Sequence, residues 1–120
     1  MEKCVIGLLE NVKVIGEKKS VGLEVLVDTG AAVTSLDKAI AEEIGVGEPV
    51  RTMRVKAPAT KIIKERPVVE IEIEIGGQKM KIQANLNDRS HMRYPMIIGR
   101  NVLRGNFVVD VEKSPDIRKQ

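Results

Sequence analysis

Aromatic side chains are almost missing from this 120-residue chain: Tyr94 and Phe107 are the only two, and there is no tryptophan. Recognition of nucleic acid by base stacking has nothing to work with, and the core must be built from Val, Ile, Leu and Met. Cys4 is the single cysteine, so no intrachain disulfide forms. His91 is the single histidine, and no cluster of Cys, His and carboxylates has metal-ligand spacing; no metal and no cofactor are expected. Gly16 and Gly22 belong to no phosphate-binding loop. No apolar run reaches the length of a membrane span and no signal peptide opens the chain, so the expectation is a cytoplasmic protein without a membrane partner. The net charge of +3 is spread along a sequence in which Lys and Arg alternate with Glu. That leaves no basic block, and no nucleic-acid partner is expected.

The length suits one domain with a modest core. A single domain over 1–112, followed by a polar tail over 113–120, is the expected organisation. The richness in Lys, Arg and Glu is a compositional hint of heat adaptation. Short apolar runs separated by turn residues predict an all-β domain. Strands are expected at Val5 to Leu9, Val12 to Ile15, Val21 to Val27, Val33 to Leu36, Val50 to Val55, Thr60 to Lys64, Pro95 to Ile98 and Asn106 to Val111. One short helix is expected over Asp37 to Gly45, capped by Ser35 or Asp37 and ended by Gly45. A helical turn is expected at Arg100 to Leu103. The clearest element is a hairpin from Pro67 to Leu86 turning at Gly76-Gly77. Its register sets Glu74 opposite Lys79, Glu72 opposite Lys81, Ile73 opposite Met80 and Ile71 opposite Ile82.

Chemistry enters at Val25-Leu26-Val27-Asp28-Thr29-Gly30-Ala31. An apolar strand runs directly into a carboxylate, a small hydroxyl and a glycine. A carboxylate there is costly to bury and marks a candidate site. A second segment, Met96-Ile97-Ile98-Gly99-Arg100-Asn101, lies near the C-terminus. Together the two segments resemble the active-site framework of the retropepsins, the half-length aspartic proteases of retroviruses and their cellular relatives. The hairpin at Gly76-Gly77 falls between them, as in that family. A nearer resemblance is to small bacterial and archaeal proteins labelled ATP-dependent zinc proteases. It is carried by Asp28 to Ala31, Arg66 to Val69, Asp88-Arg89-Ser90, Tyr94-Pro95 through Arg100, and Leu103 to Asp110. Some members of that group accompany ligases that add glutamate tails to proteins. The zinc and the ATP of the label find no support among these residues.

The resemblance implies a retropepsin-like acid-protease half-barrel with one or two short helices, acting as a homodimer on a peptide or protein substrate. Asp28 is the expected catalytic acid, and a complete site needs Asp28 from two chains. Thr29 is expected to lock the paired loops through its hydroxyl, and Gly30 to permit close backbone approach. Ile97, Ile98 and Gly99 are expected to cross behind the Asp28 loop. The expected flap runs from Arg51 to Arg66. The substrate-binding set is Ala31, Ala32, Ile98, Arg100 and the flap-tip residues Ala57, Pro58, Ala59 and Thr60. Lys56, Lys61, Lys64 and Arg66 make the flap cationic, which favours acidic peptides or glutamate tails. Two departures stand out. Viral members carry an acidic residue after the catalytic glycine that pairs with the arginine of the second motif. Here Ala31-Ala32-Val33 stands in that place, leaving Arg100 to find another partner, with Asp88 as a candidate. The flap tip also lacks the glycines of viral flaps. His91 reads as a solvated loop residue and Cys4 as a packed thiol. The other function classes open to the chain are a non-catalytic dimeric peptide- or protein-binding module on the same fold, and a structural dimerisation domain.

Overall fold

The structure, a computed structural model, describes residues 2–56 and 61–113. Along these the elements are β1 (Cys4–Ile6), β2 (Leu9–Ile15), β3 (Ser20–Val27), β4 (Thr34–Asp37), α1 (Lys38–Ile44) and β5 (Arg51–Lys56). They continue with β6 (Ile63–Ile75), β7 (Gln78–Asn87), β8 (Met96–Ile98), α2 (Arg100–Leu103) and β9 (Phe107–Val109). The expected all-β architecture with two short helices is the one observed. Strands β2, β3, β8, β4, β7 and β6 hydrogen-bond in that order, and β2 returns to β6 through Lys13↔Glu74, Val14↔Ile73 and Ile15↔Glu72. Six strands thus close a small barrel, which removes their open edges. β5 adds outside this ring on β6, and β1 pairs separately and in parallel with β9.

The barrel interior is aliphatic, as the lack of aromatics required. Val12, Val14, Val25, Val27, Ile73, Ile75 and Ile98 are at most 2% exposed. Phe107 joins this cluster, while Tyr94 is half-exposed with the Arg93 guanidinium 5.9 Å from its ring centre. The Gly76-Gly77 hairpin has the expected register at all four pairs. Both glycines have positive φ, 58° and 77°, as a tight two-residue turn between twisted strands requires. The ion pair on its face is the diagonal one, Lys79 to Glu72 at 3.6 Å.

Four local expectations need correction. Residues Val5 to Leu9 do not form one strand: the chain bends at Gly7-Leu8, so that β1 leaves the barrel for β9 while the Leu8 carbonyl accepts the Val27 N–H at 2.8 Å. The extended piece at Thr60 to Lys64 is not separate, because β6 runs unbroken from Ile63 through Pro67 to Ile75. Proline is tolerated since, at Pro67, β7 has not yet joined that strand. α1 has Asp37 as its N-cap residue, as one of the two expected, and ends at Gly45 with φ 78°, but the Asp37 side chain makes no capping hydrogen bond. The Asp37 carboxylate accepts the Arg89 N–H instead, at 2.8 Å, and the Ser35 hydroxyl turns to Asn85 and Asn87. Finally, β9 stops at Val109, where the Asp110 carboxylate accepts the Glu112 N–H at 3.0 Å and turns the chain.

Candidate active site

Asp28 directly follows β3, and β3 lies parallel to β8 with Leu26↔Ile97 and Val27↔Ile98. β8 in turn lies antiparallel to β4 through Ser35↔Ile97 and Leu36↔Met96. The connection from β3 to β4 must therefore pass over the end of the strand between them. That connection is the Asp28 loop, and Gly99 is the point it crosses. A Cβ on Gly99 would lie 2.7 Å from the Val33 carbonyl carbon, 2.9 Å from the Ala31 oxygen and 2.9 Å from the Thr34 nitrogen. All three are backbone atoms, so glycine here is a steric requirement. The crossing of Ile97-Ile98-Gly99 behind the loop is seen, as the family resemblance implied.

A set of hydrogen bonds then fixes the loop. The Asp28 N–H donates to the Ile98 carbonyl at 2.8 Å, and the Arg100 and Asn101 N–H groups donate to Ala31 and Ala32 carbonyls at 2.8 and 3.2 Å. Thr34 is fully buried; its hydroxyl accepts the Gly99 N–H at 3.0 Å and donates to Asn101 Oδ1 at 2.9 Å. Asn101 Oδ1 also accepts the Thr34 N–H at 2.8 Å, while its amide nitrogen donates to the Gln83 carbonyl at 2.7 Å. Every polar atom of these two side chains is thus engaged, which pins the loop to α2 and β7. Composition gave no hint of Thr34's role. Asn101 stood in the second motif, and its position after Gly-Arg was the available signal.

Asp28 itself is half-exposed, and Thr29, Gly30 and Ala32 are exposed. Asp28 Oδ1 accepts the Gly30 N–H at 2.9 Å, which holds the carboxylate at the loop's outer face. Within this chain a Cβ on Gly30 would meet only that same Oδ1, at 3.2 Å, and its φ is not positive. No backbone of its own chain crowds Gly30. Ile98, expected at the substrate, is instead 0% exposed in the core, because its side chain points inward from β8; the half-exposed neighbour is Ile97. Arg100 does not pair with Asp88. Its Nη1 donates to the Thr29 carbonyl at 2.9 Å, filling with a backbone oxygen the place of the missing acid. Asp88 accepts from the Ser90 hydroxyl at 2.6 Å and the Ser90 N–H at 2.9 Å, which hold its carboxyl below the usual aspartate range.

The expected flap has both arms in place: β5 pairs with the outer part of β6 from Arg51↔Val68 to Lys56↔Ile63. The tip residues Ala57, Pro58, Ala59 and Thr60 lie outside the described residues. At the foot of the flap, Arg66 Nη1 donates to Asn85 Oδ1 at 3.3 Å. The Ser35 hydroxyl lies 2.8 Å from that same oxygen and 2.6 Å from Asn87 Oδ1. A hydroxyl has one proton, so Ser35 donates to one of these two oxygens at a time. Arg89 lies nearby on the β7–β8 loop, its Nε donating to the Tyr94 carbonyl at 3.0 Å. The sequence suggests that Asp88-Arg89 caps the loop before the Pro95 strand, and the Arg89 bond to the Tyr94 carbonyl lies at that place. Among the described residues, no three or more His, Cys, Asp or Glu side chains converge in a way that fits a metal ion. No helix among them is long and apolar enough to cross a membrane.

A closed small barrel with an Asp-Thr-Gly loop crossed by a Gly-Arg-Asn turn, and a strand hairpin beside it, defines an acid protease fold of the single-domain, retropepsin type. Residues 41–120, two thirds of the sequence, match the family described as RimB-like, retropepsin-like aspartic endopeptidase RimB, and the chain belongs to that family. Asp28 lies ahead of the matched segment. A protein of unknown function from Legionella pneumophila has a similar structure, with a TM-score of 0.63 at 24% identity over 92% of this chain and 95% of that one. So does the simian foamy virus protease, with a TM-score of 0.55 at 16% identity over 93% of this chain and 97% of that one. No curated protein matches.

Proposed function

We propose that the chain is an aspartic endopeptidase acting as a homodimer in the cytoplasm, with the Asp28 loops of two copies meeting across a twofold axis. Two carboxylates held close cannot both ionise, so the pair carries one proton between them. The ionised one takes a proton from a water molecule as that water attacks the scissile carbonyl. The protonated one donates to the carbonyl oxygen. Collapse of the resulting diol breaks the C–N bond, and the leaving nitrogen takes up a proton. Thr29 and Gly30 face the partner in this arrangement: the Thr29 hydroxyl bonds across the dimer, and the bare Gly30 lets the second loop approach.

The observation that carries this reading is the Asp28 loop itself. It is rigidly tied from behind by Ile98, Gly99, Thr34 and Asn101, while Asp28, Thr29 and Gly30 are turned outward. A second copy has further surface to cover on that side. One cleft of about 450 Å³ is lined by Thr29, Arg100, Leu103, Phe107 and Val109, joining the loop to the β1–β9 ribbon. On that ribbon Val5 pairs with Val108, and they are 43% and 50% exposed. For substrate, the exposed Lys56, Lys61 and Lys64 on the flap arms favour acidic peptides, glutamate tails among them.

The test is Asp28→Asn. The asparagine oxygen can still accept the Gly30 N–H, so the loop is kept. Peptide hydrolysis should fall by roughly 10²–10⁴-fold, with the dimer unchanged by sedimentation. A wild-type chain that stays monomeric at high concentration, or activity that survives the substitution, would refute the proposal.

A further inference from the structure

Two guanidinium groups near the Asp28 loop, those of Arg66 and Arg89, form no ion pair with a carboxylate among the described residues. Arg66 comes from the foot of the flap and Arg89 from the loop between β7 and β8; both are half-buried. Each is held through one nitrogen by a neutral oxygen, Arg66 by Asn85 and Arg89 by the Tyr94 carbonyl. Among the described residues the ion pairs are Lys19–Glu43 and Lys79–Glu72, so neither arginine is in one. Asp37, the buried acid of this region, spends its Oδ1 on the Arg89 backbone N–H. Asp88 is turned to Ser90.

The two cations also feel each other. Burial, and next to it the Arg66 guanidinium, lowers the Arg89 pKa, against the opposing pull of Asp37 and Asp28. The two arginines lie at neighbouring points of β7: Arg66 bonds Asn85, which pairs with Ser35, while the Arg89 N–H bonds Asp37, which pairs with Asn87. More positive charge borders Arg66: an open cleft of about 460 Å³ runs from Arg66 along Lys64 and Lys38, with Glu65 and Asp88 as its acidic lining. If the arginines served only as struts, glutamine or lysine would make the same single contacts to Asn85 and Tyr94. Half-burying two like charges adds an unfavourable term that Asp37 and Asp28 offset only in part. A guanidinium anchored by one edge keeps its remaining N–H groups for an incoming anion, and the planar fork fits a carboxylate.

The geometry points to a carboxylate-binding subsite formed by Arg66 and Arg89, which holds an acidic side chain of a peptide lying across the Asp28 face. The inference rests on reading that face as a peptide groove, and it names the residues that select the peptide. Arg89 and Arg66 are specificity-determining residues in this scheme and take no part in bond cleavage.

Binding is measured with the full chain carrying Asp28→Asn, which separates the subsite from catalysis. The probes are fluorescently labelled hexaglutamate and hexaglutamine, followed by anisotropy. Hexaglutamate should bind more tightly than hexaglutamine. Arg89→Gln and Arg66→Gln, each keeping a donor for its protein oxygen, should each cut that preference by roughly tenfold or more. Lys13→Gln with Lys79→Gln, which removes two charges at a separate cleft, should leave it unchanged. Arg89→Lys, which keeps charge without the fork, should restore only part of it. Equal binding of the two peptides would overturn the subsite, as would a preference that both arginine variants retain. A preference lost equally on removing Lys13 and Lys79 would reduce it to diffuse attraction. Wild-type cleavage of a neutral peptide alongside any of these outcomes would leave the peptidase reading standing without the subsite.

Discussion

Arg100 Nη1 donates to the carbonyl of Thr29 at 2.9 Å, tying the first turn of α2 to the outermost part of the Asp28 loop. The contact is charge-assisted on one side only. It therefore positions Thr29 without placing a second carboxylate next to Asp28, which would add repulsion at the site. Arg100→Gln should lower peptide hydrolysis by about tenfold while changing unfolding free energy by only about 0.5–1.5 kcal/mol, the worth of one partly exposed hydrogen bond. Paired kinetic and urea-unfolding measurements check this; equal proportional loss of both would make Arg100 a general stabiliser.

Gly99→Ala tests the crossing itself. Its new Cβ would press on Val33, Ala31 and Thr34 backbone atoms at 2.7–2.9 Å, and no flexible side chain is there to yield. The expected cost is about 1–3 kcal/mol, as for overpacking elsewhere in well-packed interiors. The strain falls on the segment that follows Asp28, so hydrolysis should drop further than stability alone accounts for. Denaturant titration, with activity measured where the variant is fully folded, separates the two effects.

Acid should loosen the turn at Asp88. The Ser90 hydroxyl first, and the Ser90 N–H second, hold the Asp88 carboxyl below its ordinary range. A carboxyl whose pKa is depressed by folding contributes stability above its unfolded value, and that contribution fades as pH falls through the folded value. The Ser90 amide resonance should therefore titrate with a midpoint below that of a free aspartate side chain. In Asp88→Asn that acid transition should vanish from the Ser90 signal.

Legibility in the sequence followed the strength of the local pattern. The Gly76-Gly77 hairpin could be registered pair by pair because alternation and turn chemistry agree there, and both faces carry distinct residue types. The Asp28 loop was readable because an acid ending an apolar strand is unusual enough to be informative, and the Gly99 crossing was readable only through the family resemblance those two segments carry. The contacts made by Asp37, Ser35 and Arg100 were not readable. Each has a plausible local partner, a helix end or a nearby acid, but takes a distant one brought close by the barrel closure: Arg89, Asn85 and Thr29. Ile98 was misplaced for a related reason. Strand residues alternate sides, and only the packed barrel decides which of Ile97 and Ile98 points inward.

The 13-residue span of β6 has one further consequence. From Val68 inward it is gripped by β7, with β5 and then β2 on its other side; from Ile63 to Pro67 it has β5 alone. Two strands by themselves are only marginally stable in water. The strand is thus a cantilever, clamped at Val68 and free-standing beyond it, and Arg66 sits at the bending point. A load on the outer end is felt first at the Arg66–Asn85 contact and leaves the barrel undisturbed. Deuterium uptake along this continuous strand should step from slow at Val68 to fast at Arg66, across the amide-less Pro67.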